Sequence, residues 1–334
     1  MGTTGTSTAE VEALAEALLE GHPRALAKLI SRVEDRAPGY EAVVDALYPQ
    51  AQTKGAYRVG ITGPPGAGKS TLVDRLVTRF RAEGKRVGVL ACDPTSPFSG
   101  GAVLGDRVRM QSLRDDEGVF IRSLATRGSL GGLSEMAHEV AVLLEAAGYD
   151  VIVFETIGVG QVEIDVMESA DTVVVVLTPQ SGDAIQALKA GLMEIADVFA
   201  MNKADQPEAD RAAQALQLAL RPDMTEGMWI PPILKISALR DEGIERLKEA
   251  IERHRAHLGE EGLREKRKGR LRAFLQRIVE EELRRRLWNS YGTALLDTQI
   301  EKIFQGKQGP YAAARALLQQ RERGHTERGH TKPA

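Results

Sequence analysis

GPPGAGKST, residues 63 to 71, lies between the apolar run YRVGIT (57–62) and the helix-like run LVDRLVTRF (72–80). A glycine-rich turn of the form G-x-x-x-x-G-K-S, entered from a strand and left through a helix, is the phosphate-binding loop. Gly63, Gly66 and Gly68 allow the backbone to turn so that its amides meet phosphate oxygens, and the helix that follows presents a favourable N-terminus to negative charge. The loop as a whole, Gly63, Pro64, Pro65, Gly66, Ala67, Gly68, Lys69, Ser70 and Thr71, is expected to wrap the phosphates of a nucleotide. Lys69 is expected to reach the β- and γ-phosphates, and Ser70 to offer its hydroxyl to Mg²⁺.

Working outward, short apolar runs alternate with helical segments from Tyr57 to about His257: YRVGITG, KRVGVLACD, GVFIRSL, DVIVFE, DTVVVVLT, DVFAMN and WIPPILKIS. Continuous rather than alternating apolar strands, joined through helices, predict an α/β fold with a mostly parallel sheet covered by helices on both faces. Residues 1–50 read as an N-terminal helical region. Val11, Leu14, Leu18 and Leu19 have helical spacing, Gly21 ends the run, and Pro23 opens a second helix with the stripe Leu26, Leu29, Ile30, Val33. YPQAQTKGAY (48–57) reads as a turn into the core domain, 57–257. A helical arm at 259–320 follows, with one apolar stripe through Leu271, Phe274, Leu275, Ile278, Val279, Leu283 and Leu287. The remainder, 321–334, carries the tandem ERGHTERGHT and is expected to be a disordered tail.

NKAD (202–205) directly follows the strand-like DVFAM. Alone the pattern is an ordinary turn. After a phosphate loop in a parallel sheet, Asp205 can accept from guanine N1–H and its exocyclic amine, whereas adenine would leave that carboxylate poorly matched. Asn202 is expected to brace the loop, the Lys203 stem to lie along the base plane, and the SAL segment, Ser237, Ala238 and Leu239, to border the base edge with its backbone. GTP, GDP and Mg²⁺ are therefore the expected cofactors. Glu155 closes the strand DVIVFE at the end where such sheets receive ligands, so an oxygen there can serve Mg²⁺ directly or through water. Gly158 then stands where an amide can meet the γ-phosphate, an E-x-x-G version of the more usual D-x-x-G. Asp93, at the end of another strand, and Asp106 are further candidate Mg²⁺-side acids.

Composition restricts the partners. The chain has 334 residues, 43% hydrophobic and 27% charged, with a formal net charge of −3. That charge gives no global attraction to nucleic acid or an anionic membrane. The apolar runs are strand-sized, which predicts no membrane span. Cys92 is the only cysteine, which excludes an internal disulfide and fits a reducing compartment, expected to be the cytoplasm. The basic stretch LREKRKGRLRAF suggests nucleic acid, but its charges are mixed with acids and its apolar stripe calls for packing or dimerisation instead.

Taken together, GPPGAGKST, DPTSPFSGGAVLGDRVRM, ETIGVGQVE and NKAD resemble the methylmalonyl-CoA mutase-associated GTPases of the MeaB/ArgK type, over nearly the whole chain. The resemblance implies a GTPase that gates cofactor loading into an adenosylcobalamin-dependent acyl-CoA mutase and protects that mutase, acting as a homodimer through the C-terminal arm. It implies that Asp93, Asp106 and Glu155 are the Mg²⁺-side acids, with Asp106 on a first switch and Gly158 to Gln161 on a second. LTPQSGDAIQALKAG (177–191) resembles the family's third, mutase-responsive switch, with Asp183, Gln186 and Lys189 as its polar actors. Its QSGD departs from the small-residue pair expected before Gly-Asp.

Many GTPases place a water-orienting Gln directly after the glycine of this motif. Here Val159 holds that place and Gln161 follows two residues later, which predicts slow hydrolysis until a partner orders the site. Catalytic roles are thus assigned to Lys69, Asp106, Glu155, Gly158 and Gln161. Two rival readings share the phosphate loop. A small-molecule kinase has no need of NKAD, and a GTPase delivering a metal cofactor would call for Cys and His clusters, which one Cys and six His do not supply.

Overall fold

The structure is a computed structural model that describes residues 8–93, 110, 113, 115–125, 132–156, 167–179, 192–220 and 228–328. Seven parallel strands form one sheet in the order β3-β2-β4-β1-β5-β6-β7. They are β1 (Tyr57–Thr62), β2 (Val87–Asp93), β3 (Val119–Ala125), β4 (Val151–Thr156), β5 (Thr172–Leu177), β6 (Val198–Met201) and β7 (Ile233–Lys235). Each coincides with one of the seven apolar runs, β3 and β4 extending one residue past theirs, to Ala125 and Thr156. The described helices are α1 (Thr8–Leu19), α2 (Pro23–Glu34), α3 (Tyr40–Lys54), α4 (Lys69–Ala82), α5 (Gly132–Ala146), α6 (Leu192–Ile195), α7 (Ala209–Ala219), α8 (Ile244–Phe304) and α9 (Pro310–Arg328).

Side chains alternate across the pleat, so each central strand feeds two cores. Val151, Val153, Val174 and Val176 pack with Leu72, Val73 and Leu76 of α4 and with Ile244, Leu247 and Ile251 of α8. Their neighbours Ile152, Phe154, Val173, Val175 and Leu177 pack on the other face with Leu26, Leu29 and Ile30 of α2, Leu47 of α3 and Val140 and Leu144 of α5. Burying one such side chain stabilises by about 1.5–3 kcal/mol. Both faces are therefore covered, which is why the strands read as unbroken apolar runs.

YPQAQTKGAY is not a turn throughout: α3 runs through Pro49 to Lys54, and only Gly55, at φ 52°, and Ala56 link it to β1. Proline removes one helical hydrogen bond. Pro49 sits on the exposed side, while Val43, Val44, Leu47 and Ala51 form a buried stripe that holds the helix in place.

The chain divides into two compact units, Met1–Arg270 and Leu271–Ala334. The position taken as the start of the arm, Gly259, adopts φ 59° within α8 rather than ending it. In the second unit Leu275, Ile278, Val279 and Leu283 are exposed, and α9 continues to Arg328.

Three cations of the 264–272 run, Lys266, Arg267 and Arg270, have specific acceptors in the first unit. Lys266 Nζ donates to the Asp171 carbonyl at 2.8 Å and to the Asp197 carboxylate at 3.2 Å. Arg267 Nη2 and Arg270 Nη2 each lie 3.0 Å from an oxygen of the fully buried Asp171, which also accepts from the Arg58 amide. Arg58 in turn holds Glu145 of α5 with two bonds of 2.8 Å. Burial raises the Asp171 carboxyl, but Arg270, Arg267 and Arg58 outweigh it and hold the group below the ordinary range. Burial and the proximity of Arg58 push Arg270 down to about 10. Asp171 and Asp197 precede β5 and β6, so this network fastens residues 266–270 of α8, at the end of the first unit, to the starting edge of the sheet, away from the ends where the phosphate loop and NKAD emerge.

Candidate functional site

β1 ends at Thr62 and the chain turns through Gly63–Gly68 before α4 begins at Lys69. Two glycines are required here by space as well as by backbone angle. At Gly63, with φ 141°, an added Cβ would lie 2.0 Å from the Val176 carbonyl oxygen; at Gly68, with φ 88°, it would lie 2.5 Å from Asn202 Nδ2. Lys69 is buried and its ammonium donates to the carbonyls of Gly63 at 2.6 Å and Pro64 at 2.9 Å. The lysine thereby sits over its own loop, while Pro65, Gly66 and Thr71 are exposed and Ala67 is buried.

β4 is the neighbour of β1, with Glu155 in register with Ile61. This pairing brings Ser70 Oγ to within 2.5 Å of Glu155 Oε1, to which it donates, both side chains being buried. Thr156 Oγ1 donates to Thr62 Oγ1 at 2.9 Å and locks the two strand ends together. A serine hydroxyl and a carboxylate at the head of a helix are hard oxygen donors of the kind that Mg²⁺ takes, so the residues present fit that ion.

The NKAD residues and the SAL segment come together from the end of β6 and the stretch after β7. Asn202 Nδ2 donates to the Ala67 carbonyl at 2.7 Å, and the Ala238 amide donates to Asn202 Oδ1 at 3.0 Å. Lys203 has the left-handed φ of 59°, and the Ala204 amide donates to the Ile236 carbonyl. Asp205 Oδ1 accepts from Ser237 Oγ at 2.8 Å, and Arg240 Nη2 lies 3.6 Å from Oδ2. The Ser237 hydroxyl first, then the residue's own amide and Arg240, hold the Asp205 carboxyl below the ordinary range. Ser237 and Ala238 are buried, whereas Leu239 is 80% exposed.

Sequence reasoning assigned only a backbone role to Ser237 and missed Arg240, whose signal was a cation directly after SAL. Asp93 ends β2; its side chain lies outside the described residues, as do Asp106, Gly158, Gln161, Asp183, Gln186 and Lys189.

A parallel sheet of this order, a strand–glycine loop–helix carrying Lys and Ser against a carboxylate strand end, and an Asn/Asp loop tied to it define a P-loop GTPase. The family model described as Methylmalonyl Co-A mutase-associated GTPase MeaB matches residues 26–291, and the chain belongs to that family. It is 38% identical over 277 residues to the GTPase ArgK of Escherichia coli strain K12, covering 80% of this chain and 82% of that one. It is 33% identical over 329 residues to the methylmalonic aciduria type A homolog, mitochondrial, of Caenorhabditis elegans, covering 92% and 82%. A crystal structure described as an LAO/AO transport system kinase superposes with a TM-score of 0.70 at 28% identity, over 95% of this chain and 99% of that one. The chain is thus a GTPase of the MeaB family, and no helix among the described residues is long and apolar enough to cross a membrane.

Proposed function

We propose that this GTPase acts as a nucleotide-controlled chaperone of an adenosylcobalamin-dependent acyl-CoA mutase, gating cofactor loading and protecting the loaded enzyme. The observation that carries this reading is the match to the mutase-associated family over residues 26–291. In it, residues 63–71 hold the phosphates, with Lys69 exchanging its loop carbonyls for phosphate oxygens. Ser70 and Glu155, joined by Asp93 and Asp106, hold Mg²⁺, which when bound draws charge from the phosphate oxygens. Asn202, Lys203, Asp205 and the 237–239 turn hold guanine. Gly158, Gln161 and the segment 177–191, with Asp183, Gln186 and Lys189, respond to the mutase. The exposed apolar residues Leu275, Ile278, Val279 and Leu283 support a homodimer through the C-terminal arm, and the lone buried Cys92 suits a cytoplasmic setting.

The test is GTP turnover with and without a cobalamin-dependent acyl-CoA mutase. Slow basal turnover that the mutase stimulates is expected, because Val159 occupies the position of the usual water-orienting Gln. Asp183→Ala and Lys189→Ala are expected to blunt the stimulated rate and spare the basal one. Absence of stimulation by methylmalonyl-, isobutyryl- or any related mutase overturns the chaperone role.

The guanine assignment has its own test. Asp205→Asn is expected to weaken GTP by about 1–3 kcal/mol, the cost of mismatching a base-edge donor, and to favour xanthosine triphosphate. Equal affinity of the unaltered protein for ATP and GTP would defeat that assignment. A kinase reading, suggested by the description of the solved structure, gives no role to the Ser237–Asp205 pair.

A further inference from the structure

Arg240 lies on a tight turn whose backbone is held from several sides. The Ser237 and Glu242 amides donate to each other's carbonyls at 3.0 Å. Asp241 has φ 58°, and Gly243, at φ 76°, would bring an added Cβ to 2.8 Å from the Lys235 carbonyl oxygen. Arg79, on the helix that opens with Lys69 and Ser70, donates to Asp241 at 2.6 Å. The turn is therefore fixed relative to both the phosphate-loop helix and β7, and it carries the Arg240 guanidinium to the Asp205 carboxylate.

One oxygen of that carboxylate is taken by Ser237 and the other faces Arg240. The Watson–Crick edge of guanine, N1–H beside an exocyclic amine, is an amidine edge. A guanidinium offers the same arrangement of N–H donors, and planar recognition of carboxylates is the property they share.

We propose that Arg240 is a specificity-site competitor: its guanidinium contends with the guanine edge for Asp205, so that nucleotide entry requires this contact to open. The inference rests on the reading of Asp205 as the guanine-binding carboxylate. The Arg240 side chain is 59% exposed and that of Asp205 25%, with 3.6 Å between the charged atoms. Such a pair is weak and is screened by salt. The competition is correspondingly modest, is lifted by ionic strength, and acts on GDP and GTP alike because it lies on the base side.

The test is titration of the full chain with fluorescent GDP and with GTP at low and high salt, using the unaltered protein, Arg240→Ala and Ser237→Ala. Arg240→Ala is expected to bind both nucleotides about two- to fivefold more tightly at low salt, the scale of an exposed ion pair, with the gain shrinking at high salt. Ser237→Ala is expected to bind more weakly at both, since it loosens the same carboxylate without removing a competitor. Unchanged or weaker binding by Arg240→Ala, in protein with unaltered circular dichroism, overturns the proposal. Failure of the unaltered protein to prefer GDP over ADP would instead remove the guanine reading beneath it, a result that the Arg240→Ala comparison does not mimic.

Discussion

Lys69→Ala is expected to lower GTP turnover about 10²- to 10³-fold, the range for deleting one preorganised group that stabilises transition-state charge. The structure explains why the loss should reach binding as well. The ammonium closes the phosphate loop by donating to Gly63 and Pro64, so its removal loosens the loop as well as deleting a positive charge. The sheet and its two cores do not depend on it: Val59, Ile61, Leu72, Val73 and Leu76 hold β1 and α4 together. Far-UV circular dichroism should therefore match the unaltered protein while nucleotide titration and turnover collapse. Retained turnover would show that the loop does not carry the chemistry.

Asp171→Ala should act at the opposite edge of the sheet, on stability. Removing the carboxylate leaves the buried Arg270 without its counter-ion and the Arg58 amide without its acceptor, while Arg267 keeps only the Ala56 carbonyl. Stranding buried charge in this way costs about 3–5 kcal/mol, which urea denaturation would register as a lower midpoint. Arg270 is already pushed down to about 10 beside Asp171, so loss of the carboxylate lowers it further. Asp171→Asn, which keeps the acceptor oxygen but not the charge, should fall between. A midpoint unchanged in both variants would show that the network contributes nothing to the fold.

These two sites also mark what could be read in advance. The phosphate loop is local: three glycines, a lysine and a serine in one stretch dictate a turn and a helix start, and the apolar runs around it dictate a buried parallel sheet. NKAD was legible for the same reason. The Asp171 network was not, because its members come from β1, α5, the start of β5 and α8, and only folding makes them neighbours. The basic run at 264–272 suggested nucleic acid and was assigned to packing or dimerisation, and its intramolecular acceptors were invisible in the sequence. Likewise Pro49 signalled a turn, and the buried stripe of α3 overrode it. Ser237 was expected to act through its backbone alone, since nothing local shows that its hydroxyl meets a carboxylate 32 positions away.

The amide of Asn202 works as a caliper. Its nitrogen gives a proton to the Ala67 carbonyl while its oxygen takes one from the Ala238 amide. The group is planar and its two ends are chemically opposite, so only one orientation satisfies both neighbours. An aspartate of nearly the same shape would set oxygen against the carbonyl of Ala67, and rotating it would not help. The loop that begins α4 and the turn that follows β7 consequently share a single rigid spacer about one amide wide. In the proposed nucleotide site that spacer sets the distance between the phosphate loop and the base-side turn, so sugar-length analogues with the right base and the right phosphates are expected to arrive out of register.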